Sequence, residues 1–247
     1  MDSPLPIKSV LVTGPGGCRM DFVAGWLGTL PGFIDNEWKI DPTTGRSSGD
    51  MLHTKLLDRV IDDGVAFENF LESECNLTLS ADASIIYAST CHGYRLNQQL
   101  STCDKKLVNV IQIVPSEKYY DKIKWEFIAK TFLSPPEKIT IFKKETPLPI
   151  DRLLLSLQLE LNDKNRIEQI LFHANNLGVK TVKYDFDCFP VPYEMLLCKD
   201  GSKYITDTLN ISVHDRYHEF WNAMLPMINT PDEIYRYDYF WKKSDIT

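Results

Sequence analysis

The sequence predicts an α/β fold: three layers, α/β/α, around a mainly parallel sheet, with residues 1–247 forming one domain. Three observations predict it. Short apolar runs alternate with segments of helical period, which implies parallel strands joined by right-handed crossovers. The first run passes through a glycine-rich turn straight into a helix, "SVLVTGPGGCRMDFVAGWL". Polar residues fall just beyond the runs, at the end of a parallel sheet where ligands bind.

Each element has its own local reason. "KSVLVT", Lys8–Thr13, is a β-branched run of the kind that suits a strand buried on both faces. The helix after it carries Phe22, Val23, Trp26, Leu27 and Leu30 on one side and stops at Pro31–Gly32. Asp41–Asp50, "DPTTGRSSGD", reads as a polar loop long enough to cover a site. Leu52, Leu56, Leu57, Val60 and Ile61 repeat at helical spacing. Asp82–Thr90 contains a second strand, Leu107–Val114 is a third, and Pro115 ends it. A helix follows over 117–133, and "KITIF" from Lys138 suits a small extra strand. Leu153–Leu161 alternates like a strand yet is rich in a helix-forming residue, so both readings stand. Asp163 caps a helix that Gly178 stops, and Val179–Phe186 is the next strand. "DGSKYITDTLNI" gives a turn and a short helix. The last helix turns Tyr217, Phe220, Trp221, Met224 and Leu225 inward.

Composition narrows the functions. A net charge of −7 argues against a nucleic-acid partner held by overall positive charge. No apolar run approaches the roughly 18 residues that span a bilayer, so no membrane partner is expected. The start lacks a signal-peptide layout. The six cysteines form no CxxC pair and no zinc spacing; they read as reduced thiols of a cytoplasmic protein. Asn76 and Asn210 match the glycosylation pattern by chance on that reading. No metal is expected. The sequence does not set the oligomeric state.

The candidate site starts at the glycine turn: Gly14, Pro15, Gly16, Gly17, Cys18, Arg19 and Met20. Glycines there let successive amides point inward as an anion nest at a helix amino terminus. Compared with the nucleotide-binding pattern GxxxxGK[ST], Arg19, Met20 and Asp21 replace Gly, Lys and Ser/Thr, so ATP-hydrolysis chemistry lacks its lysine and its magnesium hydroxyl. Arg19 can supply the positive charge, whereas Asp21 opposes a phosphate. The alternative is a tight turn with no ligand. His92, beyond the second strand, is a candidate general base or a loop histidine bonded to a neighbour. His214 and His218 have the i,i+4 spacing of metal ligands, or share a solvated helix face. Asp185 and Asp187 can hold a metal, orient a histidine or cap a turn. The aromatic tail beside Arg236, Lys242 and Lys243 can stack on a base or pin itself to the core.

The order of these features resembles the sulfotransferase family, whose fold is of the P-loop NTPase type. "VLVTGPGGCRMDFVAGWL" looks like that family's first strand, phosphosulfate loop and tryptophan-bearing helix. "IIYASTCHGY" looks like the strand ending in its catalytic histidine, here His92. "LVNVIQIVPSEKYYDKIKWEFIAKTF" takes the place of its third strand and 3′-phosphate helix. "VKTVKYDFDCF" with "ITDTLNI" resembles its late strand and leucine-rich helix. The resemblance covers about half the chain and implies PAPS or PAP as cofactor, with a small-molecule or glycan hydroxyl as acceptor. Gly16 stands where the family has a catalytic lysine or arginine, and the loop's hydroxyl positions are lost. Pro115 holds an arginine's place, and Ile123 or Lys124 a serine's. Arg19, Lys122, Lys124 or Arg95 can substitute from other positions. Two other functions stay open: a non-catalytic domain that binds a ligand or protein, and a nucleotide or nucleoside kinase.

Overall fold

The computed structural model describes residues 5–15, 17–33, 39–40, 47–48, 65–66, 69–70, 72–73, 77–79, 85–92, 108–120, 123, 187–229 and 239–240. In chain order the elements are β1 (Leu5–Gly14), α1 (Met20–Thr29), β2 (Lys39–Ile40), β3 (Ser47–Ser48), β4 (Leu77–Leu79), β5 (Ile85–His92), β6 (Val108–Val114), β7 (Phe189–Pro192), α2 (Gly201–Thr208), α3 (Asp215–Asn229) and β8 (Tyr239–Phe240).

The expected parallel sheet is present. Ser9–Thr13 of β1 pairs with Tyr87–Cys91 of β5 on one edge and Val108–Gln112 of β6 on the other. β6 pairs onward with β7, and β4 pairs with Leu5–Ile7 at the start of β1. All these pairings are parallel, so the carboxyl ends of β5, β1, β6 and β7 gather along one margin. Both faces of β1 from Ser9 to Gly14 are buried, and both faces of β6 are largely so. Val10, Val12, Ile111 and Ile113 lie within the main core, and Ser9, Leu11, Thr13, Val108 and Val110 are also closed to solvent. That explains why "SVLVT" and "VNVIQIV" show near-continuous rather than alternating hydrophobicity.

α1 differs from the one-sided helix the apolar spacing predicts. Apart from Asp21, its residues from Met20 to Thr29 are buried, including Ala24, Gly25 and Gly28. A helix without a wet face belongs inside a fold. Two tryptophans fix its surroundings. The Trp26 indole donates to the Tyr217 carbonyl (3.1 Å) and meets Trp221 edge-on, with centroids 5.2 Å apart. Trp221 also lies 4.3 Å from Phe22, and its indole donates to the Cys198 carbonyl (3.2 Å). α3 therefore docks through Tyr217, Trp221, Met224 and Leu225, all buried, with Phe220 half-buried. At the other end of α1, the Leu30 amide bonds to the Leu27 carbonyl, and Gly32 at φ 83° turns the chain away.

α2 ends as a Schellman cap. The Asn210 amide reaches the Asp207 carbonyl (3.1 Å) and the Ile211 amide the Thr206 carbonyl (2.8 Å), with Asn210 at φ 53°. Asparagine is among the few non-glycine residues that tolerate this left-handed position.

Several expectations need adjustment. The 41–50 stretch is not entirely loop: Ser47–Ser48 pairs antiparallel with β2, and β8 from the chain's end pairs with β2's other side. The helix expected from Glu117 opens as a tight 3-10 turn, Glu117–Tyr119. His92 is the last residue of β5 rather than beyond it. The segments read at 52–61, 138–142, 153–161, 163–178 and 179–186 lie outside the described residues. Among the described residues, no helix is long and apolar enough to cross a membrane.

Candidate functional site

The site is built where the sheet's carboxyl ends meet α1. β1 ends at Gly14, which packs so closely on β6 that a β-carbon there would lie 3.1 Å from Ile113 Cβ and 3.3 Å from its carbonyl oxygen. A larger residue there would press on Ile113, so glycine suits the strand packing at this point, whatever the turn binds. Pro15 bends the chain, and the Cys18 amide closes the turn on the Pro15 carbonyl (3.1 Å). Gly17 takes φ 87° and Arg19 φ 61°, which re-aims the backbone twice within three residues. Gly16 lies outside the described residues.

Arg19 is the amino-terminal cap of α1, and its side chain forms no capping bond. The Val23 amide bonds to its carbonyl (3.3 Å), which starts the helix. Positive helix-end potential and an arginine thus coincide at the margin of the sheet. The guanidinium, however, is turned inward. Arg19 is only 6% exposed, and its guanidinium carbon lies 6.0 Å from the centre of the Tyr193 ring. Cys18 and Met20 are buried on either side of it. Asp21 is half-buried in the same turn.

His92 enters through register. Gly14 and His92 are directly paired across β1 and β5. Neighbouring strands lie about 4.8 Å apart, so the backbone of this histidine is level with the start of the turn. Arg95, Lys122, Lys124 and Asp185 lie outside the described residues, and Asp187 is exposed ahead of β7.

The ends of β6 and β7 hold residues that the sequence did not single out. After β6, the Ser116 hydroxyl donates to the Glu194 carboxylate (2.5 Å), joining the ends of β6 and β7. Lys118 Nζ is 3.8 Å from the same carboxylate and 4.8 Å from the centre of the Tyr119 ring. Tyr119 meets Tyr193 edge-on at 5.3 Å. The Ser116 bond holds the Glu194 carboxyl below its usual range. Partial burial opposes this, while Glu194's own amide and Lys118 assist. The only local signal was a proline-ended strand followed by a polar residue, in "VPSE" and "VPYE".

The two terminal-helix histidines separate. His214 precedes α3, and its Nδ1 accepts from the Arg216 amide (3.2 Å) as a cap. His218 Nδ1 lies 3.0 Å from the Ser202 hydroxyl, linking α3 to α2. The spacing therefore serves helix capping and helix docking. Cys18, Cys188 and Cys198 are thiols that form no disulfide. Burial, and secondarily Asp187, pushes the Cys188 thiol up to about 11.

This arrangement can offer an anion a helix amino terminus and a cationic side chain, with a histidine on the adjoining strand. No protein-family model matches the chain, and no curated protein matches it.

Proposed function

We propose that the chain is a sulfotransferase-like protein of the P-loop type, whose β1–α1 turn receives the 5′-phosphosulfate end of PAPS. One observation carries the reading: Gly14 and His92 share a register on adjacent parallel strands, at the ends where such sheets bind ligands. The strand order supports it. The next long strand after β1 lies on one side of it, while β6 and β7 lie on the other. In open parallel sheets such a divergence marks the place where ligands bind, here the margin of β1 and β6 that leads into Arg19 and Ser116.

The fit to the nucleotide is in the backbone and the charge. The turn at Gly17–Met20 and the start of α1 would face the phosphosulfate, and Arg19 would supply the cation. PAPS, when bound, brings an activated sulfuryl group. The chain's own tasks are to hold the leaving phosphate's charge and to take the acceptor's proton. Arg19 has the first and His92 the second, since an imidazole exchanges protons near neutral pH. For Arg19 to act, the phosphate must reach the guanidinium beside Tyr193, or the side chain must swing out.

A second reading is a non-catalytic ligand-binding domain. It is favoured by the Cys18 amide, which is bonded to Pro15, and by Gly16 in the place of a cationic residue.

Thermal shift with PAP, PAPS, ATP, ADP and sulfate tests both. A ligand at a hundred times its Kd adds about 2.7 kcal/mol, or roughly 5–10 °C for a chain of this size. The proposal expects that shift with PAP and not with ADP, its loss in Arg19→Ala, and sulfuryl transfer that His92→Ala abolishes. PAP binding without transfer would favour the second reading. No shift with any of these ligands would overturn the PAPS site.

A further inference from the structure

β7, the outermost strand of the sheet among the described residues, carries two prolines, Phe189-Pro190-Val191-Pro192, in parallel register with Ile111–Val114 of β6. Within a paired strand, alternate residues turn their backbone N–H and C=O to the same neighbour, and the residues between turn theirs to the opposite edge. Proline has no N–H to give. Phe189 and Val191 are therefore the positions that bond to β6, and Pro190 and Pro192 face the outer edge. A separate contact agrees: the Tyr204 hydroxyl of α2 donates to the Pro190 carbonyl (3.4 Å), which must point away from β6.

That outer edge is open to water. Phe189 is 38% exposed, Tyr204 is 36% exposed, and both prolines are exposed. A bare strand edge beside an exposed phenylalanine is a ready template for pairing with another chain. Here it offers no donor at 190 or 192, and the Pro190 carbonyl is taken.

We infer that β7 is a guarded edge, built to refuse an added strand from a second copy of this chain. The guard is the pair Pro190 and Pro192, with Tyr204 covering the carbonyl between Phe189 and Val191. It leaves the Phe189 ring at the surface without letting the backbone beneath it pair.

Pro190→Ala/Pro192→Ala restores two donors while adding no apolar bulk. Sedimentation velocity over a wide concentration range, with hydrogen exchange at residues 190 and 192, reads the result. The expected outcome is association of the double variant at concentrations where the parent chain does not associate further. The two new amides should be protected only in the associated form. An unchanged size distribution, with both amides unprotected throughout, overturns the inference. Val191→Ala loosens the same strand and adds no donor, so it should behave like the parent. Association of that variant to the same extent would also overturn it, because lost packing rather than new donors would be the cause.

Discussion

Gly201→Ala is expected to destabilise the protein, against the usual effect of the change. Replacing glycine by alanine in a helix favours folding by up to about 1 kcal/mol, through propensity and a less disordered unfolded chain. Gly201 is the first residue of α2 and is buried. A β-carbon there would overlap the Met195 carbonyl and lie 3.0 Å from a Trp221 ring carbon. Neither neighbour can retreat easily. The Gly201 amide donates to the Cys198 carbonyl at 3.2 Å, and the Trp221 indole donates to the same oxygen at 3.2 Å. Moving α2 away weakens the first bond; moving Trp221 weakens the second and disturbs Trp26 and Phe22. Overpacking of this kind costs about 1–3 kcal/mol, and each weakened hydrogen bond about 1 kcal/mol. After the intrinsic gain is subtracted, the net loss is about 2–4 kcal/mol, or a fall in Tm of roughly 5–15 °C. Urea and thermal unfolding measure it, with exposed Lys203→Ala on the same helix as a control expected to stay within about 0.5 kcal/mol. Gly201→Ala as stable as the parent, or more so, would refute the close approach of α2 to the 193–198 turn.

Three other outcomes follow from local geometry. Asn210→Gly keeps the left-handed cap and should change stability by less than about 1 kcal/mol, whereas Asn210→Val should lose about 1–2 kcal/mol in denaturant unfolding. Ser116→Ala removes the bond that lowers the Glu194 carboxyl and should cost about 1 kcal/mol near neutral pH. A lowered folded pKa gives stability above the unfolded carboxyl value of about 4.3 and loses it as pH falls through the folded value. The gap between parent and Ser116→Ala should therefore close below about pH 4; a gap that persists there contradicts the carboxylate bond. Cys188, with its thiol raised to about 11, stays protonated at pH 8.5. Its alkylation there should be about a hundredfold slower than that of an ordinary thiol. Asp187→Asn should speed it only modestly, because burial is the larger cause; rapid labelling of Cys188 in the native parent would contradict the shift.

How much of this was legible depended on the range of each interaction. The strand–turn–helix at residues 8–30 could be read directly, because apolar period, a glycine turn and a Pro–Gly stop all act over a few residues. The same holds for α3, whose inward residues Tyr217, Trp221, Met224 and Leu225 follow one helical period. The burial of α1 on every side was less visible, since Ala24, Gly25 and Gly28 are neutral to a periodicity argument. The meaning of single residues was least visible. Gly14 reads as a phosphate-loop glycine, yet its backbone is also pressed against Ile113. His218 reads as half of a metal pair, yet it meets Ser202.

The local elements and their order follow from the chain read in one dimension, because propensity, capping and hydrophobic period are written within single segments. Which strands lie side by side is fixed only when the chain packs. That packing set the Gly14–His92 register, turned Arg19 inward to Tyr193, joined Ser116 to Glu194 across 78 positions and placed Pro190 and Pro192 on an outer edge. Each of those needs two distant segments to meet. Their meeting depends on which buried faces fit together, a condition no single segment contains.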